Sequence, residues 1–435
     1  MGTRLSDSLL YAHLWGTDEL ESVFGEEARL QTWLDILVAL AHCQGRLGII
    51  PPEAAHHIAA HARVELLDMD LVAAETRKAG HSTLGLIKAL EGVAGEYVYY
   101  GATVQDLTDT WFGLVMRDVG AIVRRDLMAI LARLLDLAAE HRDTVMPGRT
   151  HGQPGSPTTF GLKAASWADE FSRHVSRLEA GRARWETGQL AGAAGTLAFF
   201  GASGPQLRAL FCEELGLADP GISWLTARDR IAEFGHVLAM VCATLARIGD
   251  EVYELQRPEI GELREPAGLG TSSITMPHKR NPETAEHLGT LARLARSSAA
   301  VLLESMVGQH ERDGRSWKAE WIALPEVCLL TGAALLYGRR LVDGLEVDTV
   351  AMERNLRAHP LGTEQVLAGL SSRLGKHRAQ GLLQDVLRDV PVSDLPEHLA
   401  ALHVAKADEV RAWLNDDAVA VAGLMVDHVV NRDGP

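Results

Sequence analysis

Apolar residues recur along this chain at three- and four-residue steps. Between positions 112 and 138, Leu114, Val115, Val119, Ile122, Val123, Leu127, Ile130, Leu131, Leu134 and Leu135 keep that spacing, which lines them up on one stripe of an α-helix. Leu238, Val241, Leu245, Ile248, Val252 and Leu255 repeat it later. Runs of this length predict a bundle of long helices. Alternating strand patterns are scarce, so the expected fold class is all-α. Breaks in the pattern divide the chain into three expected helical domains. Residues 1–102 hold shorter helices interrupted at Pro51-Pro52 and Gly80, residues 103–343 hold the long helices, and residues 344–435 return to short helices broken by Pro360, Pro391 and Pro396. Three stretches lack periodicity: 97–106, 146–160 and 260–282. Irregular islands on a rigid scaffold are where function tends to sit.

Composition narrows the classes. The chain has 435 residues, 47% of them apolar, enough for a large buried core. A net charge of -16 argues against a nucleic-acid partner. Anions would have to be bound by a few locally placed Arg, Lys and helix N-termini. Cys43, Cys212, Cys242 and Cys328 are far apart, fall inside helical patterns and form no CxxC pair, so reduced, buried thiols are expected. No basic stretch followed by an apolar run opens the chain, and no apolar run approaches the roughly 20 residues of a membrane span. A cytoplasmic protein without a membrane partner is the expectation. His56, His57 and His61 share one helical stretch, but no HExxH pattern or third ligand accompanies them, so no metal is expected. With no GxGxxG or P-loop, no cofactor is expected either.

The 260–282 island carries three glycines, two internal prolines and the adjacent pair Ser272-Ser273. Its glycines permit unusual backbone angles and hinge motion. Asn281-Pro282 reads as an N-cap and first helical residue. Lys279 and Asn281 would then stand at a helix N-terminus, a natural carboxylate site, with Glu286 about one turn further in.

The string Ser272-Ser273-Ile274-Thr275-Met276-Pro277-His278-Lys279-Arg280-Asn281-Pro282 resembles the G-S-S-x-M-P-x-K-x-N-P signature of the fumarase/aspartase superfamily. That superfamily includes aspartase, argininosuccinate lyase, adenylosuccinate lyase and 3-carboxy-cis,cis-muconate cycloisomerase. Met276, Pro277, Lys279, Asn281 and Pro282 match; Ser272 stands at the signature glycine and Ile274 at its second serine. The resemblance implies a general-base serine at Ser273, with Ser272 as the alternative. It implies a carboxylate clamp of Lys279 and Asn281, with Ser272 and Met276 beside the substrate. The superfamily's chemistry removes a weakly acidic proton next to a carboxylate, through an aci-carboxylate dianion. Cations and amide donors must surround the growing charge, and a loop that closes excludes water while supplying the base.

Two other islands extend the resemblance. Arg149-Thr150-His151-Gly152-Gln153, followed by Pro157 to Lys163, is similar to a stretch of adenylosuccinate lyases. This implies His151 as the acid, oriented by Glu286, with Thr150 and Gln153 on the substrate. Tyr100 to Asp106 is similar to the family's G-x-T-S-x-D, implying substrate contacts at Thr103 and Gln105; Thr103 and Asp106 also read as a capping box. His81-Ser82 resembles an upstream His-Asp pair. Three subunits share each active site in the family, which implies a homotetramer built on the long-helix bundle.

The substrate pocket departs from adenylosuccinate lyases at Leu14-Trp15, at Trp224 before Arg228-Asp229-Arg230, and after His310-Glu311-Arg312-Asp313. Those places resemble the cycloisomerase branch instead. The resulting expectation is a lyase that cleaves a C–N bond of a small substituted succinate or aspartate by anti β-elimination, releasing fumarate. Trp224 and Arg312 would border that dicarboxylate, with Arg315 and Lys318 adding charge. The alternatives are 3-carboxymuconate lactonisation, adenylosuccinate cleavage, and a crystallin-like relative without activity.

Overall fold

A computed structural model describes residues 6, 8, 10–80, 83–266, 275–276, 278–359, 361–414 and 419–434. Helices dominate it, as the spacing predicts. The five long ones are Val104–Glu140, Phe160–Trp185, Asp229–Leu255, Glu283–Glu304 and Gly314–Asp343. Shorter helices precede and follow them. Compactness divides the chain into two units, each drawn from three segments. Unit 1 comprises Met1–Asp126, His174–Leu245 and Thr290–Leu336, and unit 2 comprises Leu127–Arg173, Ala246–Gly289 and Tyr337–Pro435.

Unit 1 packs around aromatic side chains. Trp33 meets Trp111 edge-on with ring centroids 5.9 Å apart, and Trp185 meets Phe234 at 5.3 Å. Phe112, Val115, Val119 and Val123 continue the buried stripe of one long helix, which is the stripe that the period of 3.6 predicts. All four cysteines are free and buried, and burial pushes the Cys43 thiol up to about 11.

Unit 2 contains a second kind of local structure. Residues 145–159 form an antiparallel hairpin, β1 (Val145–Thr150) and β2 (Gln153–Thr159), with a register shift between Gly148 and Arg149. The island expected to be irregular is therefore a hairpin. His151 and Gly152 form its two-residue tip, with φ of 54° and 74°, as a turn that matches the strand twist requires. Helix Thr349–Ala358 packs against β1. Elsewhere Val366, Leu370, Leu383, Leu395, Leu399 and Val410 form a separate apolar cluster.

Helices Asp229–Leu255 and Gly314–Asp343 are long and apolar enough to cross a membrane, contrary to the sequence expectation, but 72% and 61% of their most apolar windows are buried inside the fold. That burial marks them as core helices of this protein.

Candidate active site

In unit 1 the chain converges on Thr103. Gly101, with φ at 75°, feeds this residue; a Cβ there would stand 2.4 Å from the Phe199 ring, so the turn requires glycine. Asp106 reaches back and accepts the Thr103 backbone N–H at 2.9 Å, completing the expected capping contact at the start of helix Val104–Glu140. The same carboxylate accepts the N–H groups of Ala191 at 2.8 Å and Gly192 at 3.1 Å. Burial pushes the Asp106 carboxyl up to about 7, while the three N–H donors pull the other way and Asp109 adds to the rise.

Arg312 closes this knot. Its Nη2 donates to Thr103 Oγ1 at 2.6 Å, to the Ala193 carbonyl at 3.1 Å and to the Gly192 carbonyl at 3.4 Å. Those acceptors are uncharged. Among the described residues no carboxylate pairs with Arg312, whose side chain is exposed. The neighbouring Asp313 is taken by Arg315 instead.

A second arginine in unit 1 has the opposite environment. Arg228 is buried and donates to both oxygens of Asp109 at 2.8 and 2.9 Å, and through Nε to Glu320 at 3.0 Å. Its guanidinium lies 5.1 Å from the centroid of the Trp224 ring. Burial pulls the Arg228 guanidinium down, but Asp109 and Glu320 outweigh it and hold the group above its ordinary value. Two carboxylates share one cation, and burial keeps Glu320 above its usual range despite Arg228. Sequence reading missed this triad; Asp109, Arg228 and Glu320 lie far apart in the chain, and no motif links them.

Two expected substrate contacts, Trp224 and Gln105, lie beside this triad. Trp224 is 2% exposed, and its indole N–H donates to the Gly188 carbonyl at 2.9 Å. Gln105 is also buried, and its amide donates to the Leu225 carbonyl at 2.7 Å and to Asp109 at 3.0 Å. Both side chains pack around the Arg228 knot, and the Gln105 Oε1 atom has no hydrogen-bond partner there.

In unit 2, Thr150, His151 and Gln153 stand exposed at the hairpin tip. The hairpin is fixed just below its tip by Arg149, which grips Glu262 in a bidentate pair at 2.8 and 2.7 Å. Asn355 donates to the same carboxylate at 2.8 Å. His151 is thus carried at the tip of a clamped hairpin.

The helix expected after Asn281-Pro282 begins at Glu283. Glu265 caps its N-terminus. It accepts the N–H groups of Thr284 at 3.3 Å and Ala285 at 3.2 Å, so an internal carboxylate takes two of the backbone donors at this helix start. Burial raises the Glu265 carboxyl while those N–H donors oppose the rise. The Asn281 amide donates to Glu283 at 3.2 Å. Met276, Lys279 and Glu286 are exposed. Ser272, Ser273, His81 and Ser82 lie outside the described residues.

Comparison with known proteins gives this arrangement its class. A family model described as Lyase matches residues 15–295. The chain is 39% identical to N-acetyl-S-(2-succino)cysteine lyase of Dickeya dadantii, covering 99% of this chain and 98% of that protein. It is 41% identical to an adenylosuccinate lyase of Methanothermobacter thermautotrophicus, over 84% of each. The solved 3-carboxy-cis,cis-muconate lactonizing enzyme of Pseudomonas putida superposes with a TM-score of 0.87 at 32% identity, covering 98% of this chain and 99% of that one. An all-helical scaffold with these relatives is an enzyme, a lyase. The chain belongs to the Lyase family and, with it, to the fumarase/aspartase superfamily.

Proposed function

We propose that the protein eliminates the substituent from a small 2-substituted succinate by anti β-elimination, releasing fumarate. The observation that carries this reading is Arg312, an exposed cation tethered to Thr103 by uncharged acceptors alone. Such a guanidinium keeps its charge for a carboxylate ligand.

The residue roles follow the superfamily chemistry. Ser273 takes the C3 proton next to the distal carboxylate. The electron pair passes into that carboxylate as the aci form, where Lys279, Asn281 and Arg312 stabilise the added charge. Collapse to the C2–C3 double bond expels the substituent, and His151, oriented by Glu286, delivers the proton it needs. Thr103, Thr150 and Gln153 hold the carboxylates. Self-association into a homotetramer would complete the site. Unit 1 favours this by exposing Met240, Leu294, Val301 and Leu303 on its long helices.

The leaving atom is the finer question. A C–N bond is the sequence expectation, yet two relatives, identical at 39% and 38%, are named for an S-linked succinate. A thiolate leaves more readily than an amine, and either product leaves fumarate behind. We therefore rank the S-(2-succino) thioether of an acylated cysteine first and an N-succinyl compound second.

Absorbance of fumarate decides between them. N-acetyl-S-(2-succino)cysteine should turn over faster than nitrosuccinate, argininosuccinate or adenylosuccinate, and carboxymuconate should give no lactone. Rapid cleavage of adenylosuccinate would overturn the pocket assignment. Ser273→Ala should lower turnover by about a thousandfold or more with folding intact. If Ser272→Ala does so instead, the base is Ser272.

A further inference from the structure

Unit 1 holds a cavity of about 590 Å³ that the proposed chemistry does not use. Its walls include Trp33, Trp111, Phe112, Met69, Val72 and Leu86. Such a volume suits a small organic ligand, and flat aromatic walls with a methionine favour a flat apolar body. Two guanidiniums, Arg29 and Arg77, stand against a single lining carboxylate, Glu26. Neither arginine is satisfied by it. Glu26 is 3.9 Å from Arg29, beyond hydrogen-bond reach, and its side chain is 81% exposed. Among the described residues, Arg77 has no ion pair.

Arg29 and Trp33, which line this space, each also carry a buried donor. Arg29 Nε and Trp33 Nε1 are buried and make no hydrogen bond, although Trp33 is only 5% exposed. The Arg29 guanidinium lies 5.6 Å from the Trp33 ring centroid, so the cation and the aromatic wall stand side by side.

We infer that this cavity binds a small organic anion with a flat apolar body, an arylalkyl carboxylate in class, whose carboxylate pairs with Arg29 and whose ring packs among Trp33, Trp111 and Met69. The inference rests on unit 1 alone and holds whichever succinate the enzyme cleaves.

Calorimetric titration of the full-length protein with 4-phenylbutyrate, beside the neutral 4-phenylbutanamide, tests it. One saturable site per chain is expected, with the amide weaker by about tenfold for loss of the charge-assisted bond. Arg29→Met should abolish the preference for the acid. Ala73→Trp, which fills the cavity from its wall, should abolish binding of both. The wild-type comparison needs no variant to fold. Absence of saturable binding, as would follow if a second copy of the chain covers the cavity, overturns the inference. Equal binding of acid and amide, or binding untouched by Ala73→Trp, overturns it too.

Discussion

Arg228 and Arg312 belong to the same compact unit, and both flank segments where the family resemblance implies a substrate pocket. Their surroundings separate them. Arg228 is buried with two carboxylates and an indole face. Arg312 is exposed, and one of its nitrogens is held by a hydroxyl and two carbonyls. A guanidinium whose charge is spent on internal carboxylates acts as structure. One held only by neutral acceptors keeps its charge for a ligand. The same distinction separates Arg149, spent on Glu262, from the exposed Lys279 in unit 2.

The largest expected effect comes from emptying the structural site. Arg228→Met leaves Asp109 and Glu320 buried without a cation. Removing one partner of a buried ion pair costs about 3–5 kcal/mol. Urea unfolding should show that loss, and a loss below about 1 kcal/mol would break the contrast between the two arginines.

Arg312→Met should do the reverse. Stability should stay within about 1 kcal/mol, while kcat/KM for fumarate release falls by about a hundredfold. Arg312→Lys should recover part of the loss, because it restores charge without the planar fork. A variant that unfolds instead of losing activity would place Arg312 with Arg228.

Much of the fold was legible in the chain, and the reasons for the misses are physical. Helix spacing exposed the long helices, because a buried stripe must repeat near 3.6 residues. The hairpin escaped notice because Pro147, Gly148, Pro154, Gly155 and Pro157 break any alternation. Such residues survive there because each strand of a two-stranded sheet has an unpaired edge. Thr103 and Arg312 could each be named from local motifs. Their contact could not, since 209 residues separate them. Glu265 was invisible as a helix cap for the same reason: its acceptor role depends on a chain reversal, not on a local pattern.

Asp106 links Thr103 to the turn that holds Arg312, and its titration gives a smaller effect. The folded protein holds this carboxyl up to about 7, above the ordinary carboxylate range, so folding strengthens proton binding. Its contribution is present in full below the ordinary carboxylate value and is lost as pH rises through about 7. Relative to Asp106→Asn, which cannot titrate, wild type should lose about 1 kcal/mol between roughly pH 6 and pH 8. Asp109, Tyr99 and Arg312 are the charged or titratable groups nearby. An unchanged gap over that interval would mean that Asp106 stays ionised throughout and that its three N–H donors outweigh burial.

Trp224→Phe is the smallest change and the most discriminating. Phenylalanine keeps an aromatic face under Arg228 but deletes the N–H that meets the Gly188 carbonyl at 2.9 Å. Losing one buried hydrogen bond should cost about 1 kcal/mol in stability, with KM and kcat both within about threefold of wild type. A support of the structural arginine predicts that outcome. If KM rises by about tenfold while stability holds, the ring touches substrate after all. The Arg228 knot would then be part of the substrate site, and partner chemistry alone would no longer separate the two arginines.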